Sequence, residues 1–193
     1  MRGSRLFSCA LLIGMAVTLP SCVNSHASIE SKKLTNYTGD IKRLIVFADL
    51  NDALKTRGDG NAEATFATLV TDSLAKCGIA TEYQKKAQVD NRLTLEEHKA
   101  PAPSERGLVT GKFNPDAVLD IQAKSVMTSS NRLVIVYDLA LTDMKTQTVV
   151  WSAEMNFLAA WYPGENLAAA LVDRLRNDAV INSACVPPPV PRA

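Results

Sequence analysis

Three consecutive stretches between Ala117 and Phe157 place apolar residues at every second position, and this pattern restricts the fold more tightly than any other feature. Ala117, Leu119, Ile121 and Ala123 alternate with Val118, Asp120, Gln122 and Lys124. The alternation returns in Leu133, Ile135, Tyr137, Leu139 and Leu141, and again in Val149, Trp151, Ala153, Met155 and Phe157. Successive side chains of a strand point to opposite faces, so each stretch predicts a strand with one apolar face. Asp143-Met144-Lys145-Thr146 supplies turn chemistry between the second and the third. Short polar connections make the three strands an antiparallel meander. Its reverse face carries Asp138, Thr142, Ser152, Glu154 and Asn156 and is expected to meet water, whereas Trp151 shares the apolar parity and is expected in the core.

The apolar face needs a cover. Pro163-Gly164-Glu165 opens a predicted helix running to about Val180, with Leu167, Ala168, Leu171, Val172 and Leu175 on one side and Asp173, Arg174 and Arg176 towards the other. Upstream, Arg43 to Leu50 holds the continuous run Leu44-Ile45-Val46-Phe47, which suits a strand buried on both faces. Asn51 to Asn61, with Gly58 and Gly60, returns the chain to a helix over Ala62 to Cys77, where Phe66, Leu69, Val70, Leu74 and Cys77 fall at helical spacing and Gly78 is placed to end it. Ile79 to Ala87 predicts a further strand with a polar end. Gln88 to Pro115 combines a short helical pattern at Leu93 to His98 with Ala100-Pro101-Ala102-Pro103, which cannot continue a helix. A connection this long is a candidate for partner contact or plain disorder. The resulting expectation is an α+β fold: a mixed sheet with a three-stranded antiparallel meander covered by two helices, in the order β-α-β-x-β-β-β-α.

The amino terminus points to export. Arg2 and Arg5 precede the apolar run Leu6 to Leu19, followed by Leu19-Pro20-Ser21-Cys22. This is the order of a secretory signal, and the run is shorter than the ~20 residues of a membrane-spanning helix. The junction resembles the lipobox of bacterial lipoproteins, which implies that Cys22 becomes the first mature residue and is acylated. A cut at Cys9 would leave almost no apolar segment before it. An ordinary cleaved signal, or an uncut anchor helix, are the alternatives. Several acyl chains, each CH₂ contributing about 0.8 kcal/mol, exceed what stable anchoring requires. Val23 and Asn24 follow Cys22, and neither is the aspartate that retains such lipoproteins at the inner membrane, so the resemblance implies the outer membrane, facing the periplasm. The predicted organisation is a signal peptide at 1–21, a flexible tether at 22–40, a single domain at 41–182 and an exposed, proline-rich tail at 183–193.

Charge and composition narrow the chemistry. Of 21 Lys plus Arg against 20 Asp plus Glu, two arginines lie in the signal, so the mature chain is close to neutral with alternating signs. A nucleic-acid partner needs a clustered basic surface, so none is expected. Cys77 and Cys185 remain after Cys22; in an oxidising compartment they suggest a disulfide, the alternative being two free thiols with Cys77 in the core. With no CxxC, a redox-enzyme reading lacks its motif. His26 and His98 have no partner at metal-ligand spacing, so no metal or other cofactor is expected. Asp49, Asn51 and Asp52 loosely follow a calcium loop, but Leu54 occupies the place of its turn glycine. GxSxG, HExxH, Walker A and GxGxxG strings do not occur. Asp116, Asp120, Asp138 and Asp143 could be imagined as a carboxylate cluster for acid–base work, but Asp138 and Asp143 have opposite parity, and Asp116 and Asp143 sit at strand ends, where turn and capping roles account for acids. The expectation is that the protein is not an enzyme. Trp161 and Tyr162, beside Pro163, form either a partner-contact patch or a hydrophobic staple packing the strand end on the helix.

The element order, together with Asn114-Pro115-Asp116-Ala117-Val118-Leu119 and Tyr137-Asp138-Leu139-Ala140-Leu141-Thr142-Asp143 followed by Val149-Val150-Trp151-Ser152, resembles the α/β domain shared by the TolB amino-terminal domain, LpoB and CsgG-like lipoproteins. The resemblance spans about residues 40 to 181 and carries over no functional residue. It implies a lipid-anchored envelope protein acting as a non-enzymatic accessory or assembly factor docked on another envelope protein. The alternative it offers is a subunit of an oligomeric CsgG-like secretion or channel assembly.

Overall fold

A computed structural model of the chain describes residues 27–50, 61–86, 113–129 and 132–190. These form strands β1 (Ala27–Lys33), β2 (Arg43–Asp49), β3 (Ala80–Lys85), β4 (Ala117–Ser129), β5 (Arg132–Asp143) and β6 (Thr148–Ala159), with helices α1 (Ala62–Ala75) and α2 (Pro163–Asn177). One mixed sheet contains all six strands in the order β1-β6-β5-β4-β2-β3. The meander β4-β5-β6 is antiparallel, β1 extends it antiparallel to β6, and β2 and β3 lie parallel beyond β4.

The core follows the alternation read in the sequence except at Val149, expected on the apolar face: a register shift between Leu141 and Thr142 leaves it 51% exposed and buries Val150 instead. Leu119 and Ile121, Ile135, Tyr137, Leu139 and Leu141, and Trp151, Met155 and Phe157 are buried against Phe66, Val70 and Leu74 of α1 and Leu167, Leu171 and Leu175 of α2. Burial of such side chains is the main favourable term in folding, roughly 1.5–3 kcal/mol each. In β2, Leu44, Val46 and Ala48 join that core, while Ile45 is fully buried on the reverse face, where it pairs with Val118. The reverse face is therefore wet only in part: Asp138, Glu154 and Asn156 are exposed, but Thr142 is buried.

Further expectations need correction. The sheet has six strands where five were predicted, so the meander is part of a larger sheet. The tether predicted at 22–40 contains β1, whose seven residues all pair with β6. Only Ala27 and Ile29 give β1 an apolar parity; its partner is more than a hundred residues away, so no local pattern announces it. The tail is not simply exposed, since Cys185 and Pro188 are buried. Helix α2 stops at Asn177, where Asp178 caps it and Ala179 turns at φ +52°, short of the expected Val180.

Candidate docking surface

The turn between β6 and α2 is fixed on all sides, yet it holds two aromatic side chains outward. Tyr162 has φ +53° and ψ +56°, a left-handed conformation that bulky residues rarely adopt. Pro163, at the first helical position, needs no partner for its missing N–H. The buried Asn166 side-chain amide donates to the carbonyls of Trp161 (2.7 Å) and Tyr162 (3.0 Å). Gly164 sits against α1 so closely that a Cβ there would lie 2.4 Å from the Ala62 carbonyl oxygen. The surroundings determine this backbone, so the aromatic side chains are displayed by a rigid corner. Trp161 is 76% exposed and Tyr162 42%. The staple role weighed for Trp161 is therefore not the one it has: its ring covers little of the core.

Two further apolar side chains are exposed at the same end of the sheet. The register of β4 shifts between Ala123 and Ser125, so that Val126 faces Ile135 and Met127 faces Val134 on opposite faces of the β4–β5 hairpin. Val126 is 40% and Met127 50% exposed. Leu133 at the start of β5 pairs with Ala159, two residues before Trp161, which places the hairpin end beside the aromatic corner. The hairpin residues escaped the sequence reading; the signal was the adjacent apolar pair after Lys124-Ser125, which breaks the polar–apolar alternation.

The opposite end of β6 is built for closure. Trp151 is 1% exposed, and its indole N–H donates to Asp178 Oδ2 at 2.7 Å. Ser31 of β1 donates to the same oxygen at 2.5 Å, and Arg174 bonds it through Nε at 3.0 Å. Burial pushes the Asp178 carboxyl up, but the bonds from Ser31, Trp151 and Arg174 outweigh it and hold the group below the usual carboxylate range. This cluster ties β1, β6 and α2 together. Nearby in sequence, Cys185 is disulfide-bonded to Cys77 at the end of α1, with Cα atoms 5.0 Å apart.

The acids weighed for catalysis all have structural partners. Asp116 accepts the backbone N–H groups of Arg43 (2.8 Å) and Lys42 (3.1 Å), which outweigh its desolvation and lower its carboxyl below the usual range. Asp143 accepts the N–H groups of Lys145 (2.9 Å) and Thr146 (2.8 Å) and so closes the β5–β6 turn. Asp120 pairs with Lys86 at 3.0 Å, and Lys124 bridges Asp138 (3.5 Å) and Glu154 (2.8 Å). Tyr37, half-buried and surrounded by Asp143, Asp116 and Asp40, has its phenol pushed up to about 12 by burial first and those charges second. Burial pushes the Tyr137 phenol up as well, and its O–H donates to the Leu50 carbonyl at 3.0 Å. Among the described residues, no group of three or more His, Cys, Asp or Glu side chains is arranged to hold a metal, and no helix is long and apolar enough to cross a membrane. Cys22, His26, Asn51, Asp52, His98 and the rest of 87–112 lie outside the described residues.

Neither a protein-family model nor a curated protein matches the chain. Solved structures similar to it in part include the PelC dodecamer from Paraburkholderia phytofirmans, at 15% identity and a TM-score of 0.41, covering 72% of this chain and 89% of that one. A variant of that PelC gives 18% identity and a TM-score of 0.39 over 70% of this chain and 84% of that one. Lipoprotein GNA1162 from Neisseria meningitidis gives 15% identity and a TM-score of 0.35 over 70% of this chain and 99% of that one.

Proposed function

We propose that this chain is a lipid-anchored envelope protein, held by acyl chains on Cys22 at the periplasmic side of the outer membrane. There it acts as a non-enzymatic accessory or assembly factor that docks onto another envelope protein. The observation that carries the reading is the amino-terminal sequence, a basic start, a short apolar run and a cysteine after Leu19-Pro20-Ser21. The disulfide between Cys77 and Cys185 supports an oxidising compartment. The structural engagement of Asp116, Asp120, Asp138 and Asp143 supports a domain that binds and positions.

Amine crosslinking in intact envelopes tests the docking. Its targets are exposed lysines such as Lys32 and Lys85, and mass spectrometry identifies the products. One envelope protein crosslinked at a repeatable set of lysines is the expected result. A ladder of self-crosslinks alone would replace this reading with the oligomeric secretion or channel assembly, and a chain that crosslinks to nothing would overturn both.

A further inference from the structure

We infer that the aromatic corner and the β4–β5 hairpin end form a second contact with the membrane, in which Trp161 and Tyr162 enter the headgroup region of the phospholipid bilayer that holds Cys22. The inference rests on the lipidated reading of Cys22 and concerns how the domain stands once anchored. The first described residue is Ala27, which pairs with Phe157 near the end of β6. The chain needs only five residue steps from Cys22 to Ala27, and an extended chain covers at most about 18 Å in that span. The tether of the sequence reading would have let the domain roam; with β1 fixed in the sheet from Ala27, the leash is short.

That leash ends at a particular end of the sheet. Beyond Phe157 the same strand runs on to Ala159, and the chain turns at Trp161 and Tyr162. Ala159 faces Leu133, and Val126 lies in the row of Ile135, Phe157 and Ala27. The acylated residue is therefore tethered to the end of the domain that displays Trp161, Tyr162, Val126 and Met127. The other end of β6, at Thr148, is about 30 Å further along the strand, at about 3.4 Å per residue, which is beyond the reach of the leash with the sheet upright. Of the other large exposed apolar side chains, Leu34 and Val149 lie at that distant end, beside Val150, and Val186 follows the Cys77–Cys185 disulfide.

The chemistry of the near end suits a lipid headgroup layer. Tryptophan and tyrosine combine an apolar ring with a polar handle and concentrate at membrane–water interfaces. Arg132, exposed at the start of β5, adds a cation that a phosphate headgroup can take. The rigid corner matters as well: Tyr162 at positive φ, Asn166 clamping two carbonyls and Gly164 pressed on Ala62 present both rings without a loss of loop entropy on contact. The acyl chains already anchor the protein, so the corner sets orientation and depth. It leaves the edges of the sheet facing the periplasm.

The test uses the full mature protein with its native amino terminus, purified from membranes and reconstituted into phosphatidylethanolamine–phosphatidylglycerol vesicles containing brominated phosphatidylcholine. Trp151 is buried and serves as the internal reference, so Trp161 reports the contact. The expected result is a blue-shifted component quenched by the bromolipid and shielded from aqueous acrylamide, lost in W161A but kept in L34A. Mass spectrometry of the same sample states whether Cys22 is acylated. A missing acyl group overturns the anchor reading and this inference with it. An acylated, vesicle-bound protein whose Trp161 is open to acrylamide and untouched by bromolipid overturns the inference alone. Shielding of Trp161 in intact envelopes but not in vesicles would assign the corner to a protein partner, and also overturns it.

Discussion

Trp151 and Trp161 stand at opposite ends of the β6–α2 unit and meet opposite surroundings. Trp151 is enclosed, with its N–H bonded to a carboxylate that also receives Ser31 and Arg174. Trp161 lies outside, held there by a corner whose backbone is the strained and tightly packed part. The difference teaches that exposure of an aromatic side chain is not by itself a sign of looseness. Where the backbone beneath it is over-determined, the chain has invested local strain in keeping that side chain out, and such strain persists where the surrounding structure holds it.

The comparison can be broken first at the closed end. Trp151→Ala removes a fully buried ring and leaves Asp178 short of a donor, so a loss of about 3–5 kcal/mol is expected in chemical denaturation. A loss no greater than that of an exposed site would mean that the closed end is not closed. Replacing Cys77 and Cys185 together by serine frees a long loop in the unfolded chain and should cost about 2–4 kcal/mol, read as a lower midpoint that added reductant no longer shifts. At the open end the effect should come from the backbone: Gly164→Ala drives a Cβ into the Ala62 carbonyl and should cost about 1–3 kcal/mol. Trp161→Ala should change stability by no more than about 0.5 kcal/mol, since an exposed ring contributes little to the core. Equal losses at Gly164 and Trp161 would show that the ring, and not the corner, holds this end.

A pH titration sharpens the same contrast. The folded Asp178 carboxyl is depressed, so it contributes stability that is fully present above its unfolded value near 3.9 and is lost as pH falls through the lower folded value. Asp178→Asn should therefore flatten the acid limb of the stability curve below about pH 4, leaving the slope near neutrality alone. A variant with the wild-type acid limb would show that the Ser31–Trp151–Arg174 cluster does not favour the charged form.

Much of the fold was legible because it is locally encoded. The period of two in β4, β5 and β6 and the helical spacing of Phe66, Val70 and Leu74 need no distant partner to be read. Strand β1 was hidden for the opposite reason: Ser28, Glu30 and Lys32 read as a solvated tether until β6 pairs with them. The bulge near Lys124 was hidden too, because a register shift shows only against the facing strand, and it explains why Val126, and not Ser125 or Met127, continues the row of Ile135. For the candidate surface, Trp161 and Tyr162 were visible as residues, but their exposure depends on the Gly164–Ala62 contact, which joins the starts of two helices far apart in sequence. Asp178 carries no signal in the sequence at all, since its three donors come from β1, β6 and α2.

The central claim is that a short leash from Cys22 fixes one end of this domain to a membrane. Mass spectrometry of the amino-terminal peptide from membrane-purified protein tests it most directly. The account predicts a mature chain that begins at Cys22 and carries a thioether-linked diacylglycerol with an amide-linked acyl chain. A chain that begins elsewhere, or an unmodified Cys22, would contradict it.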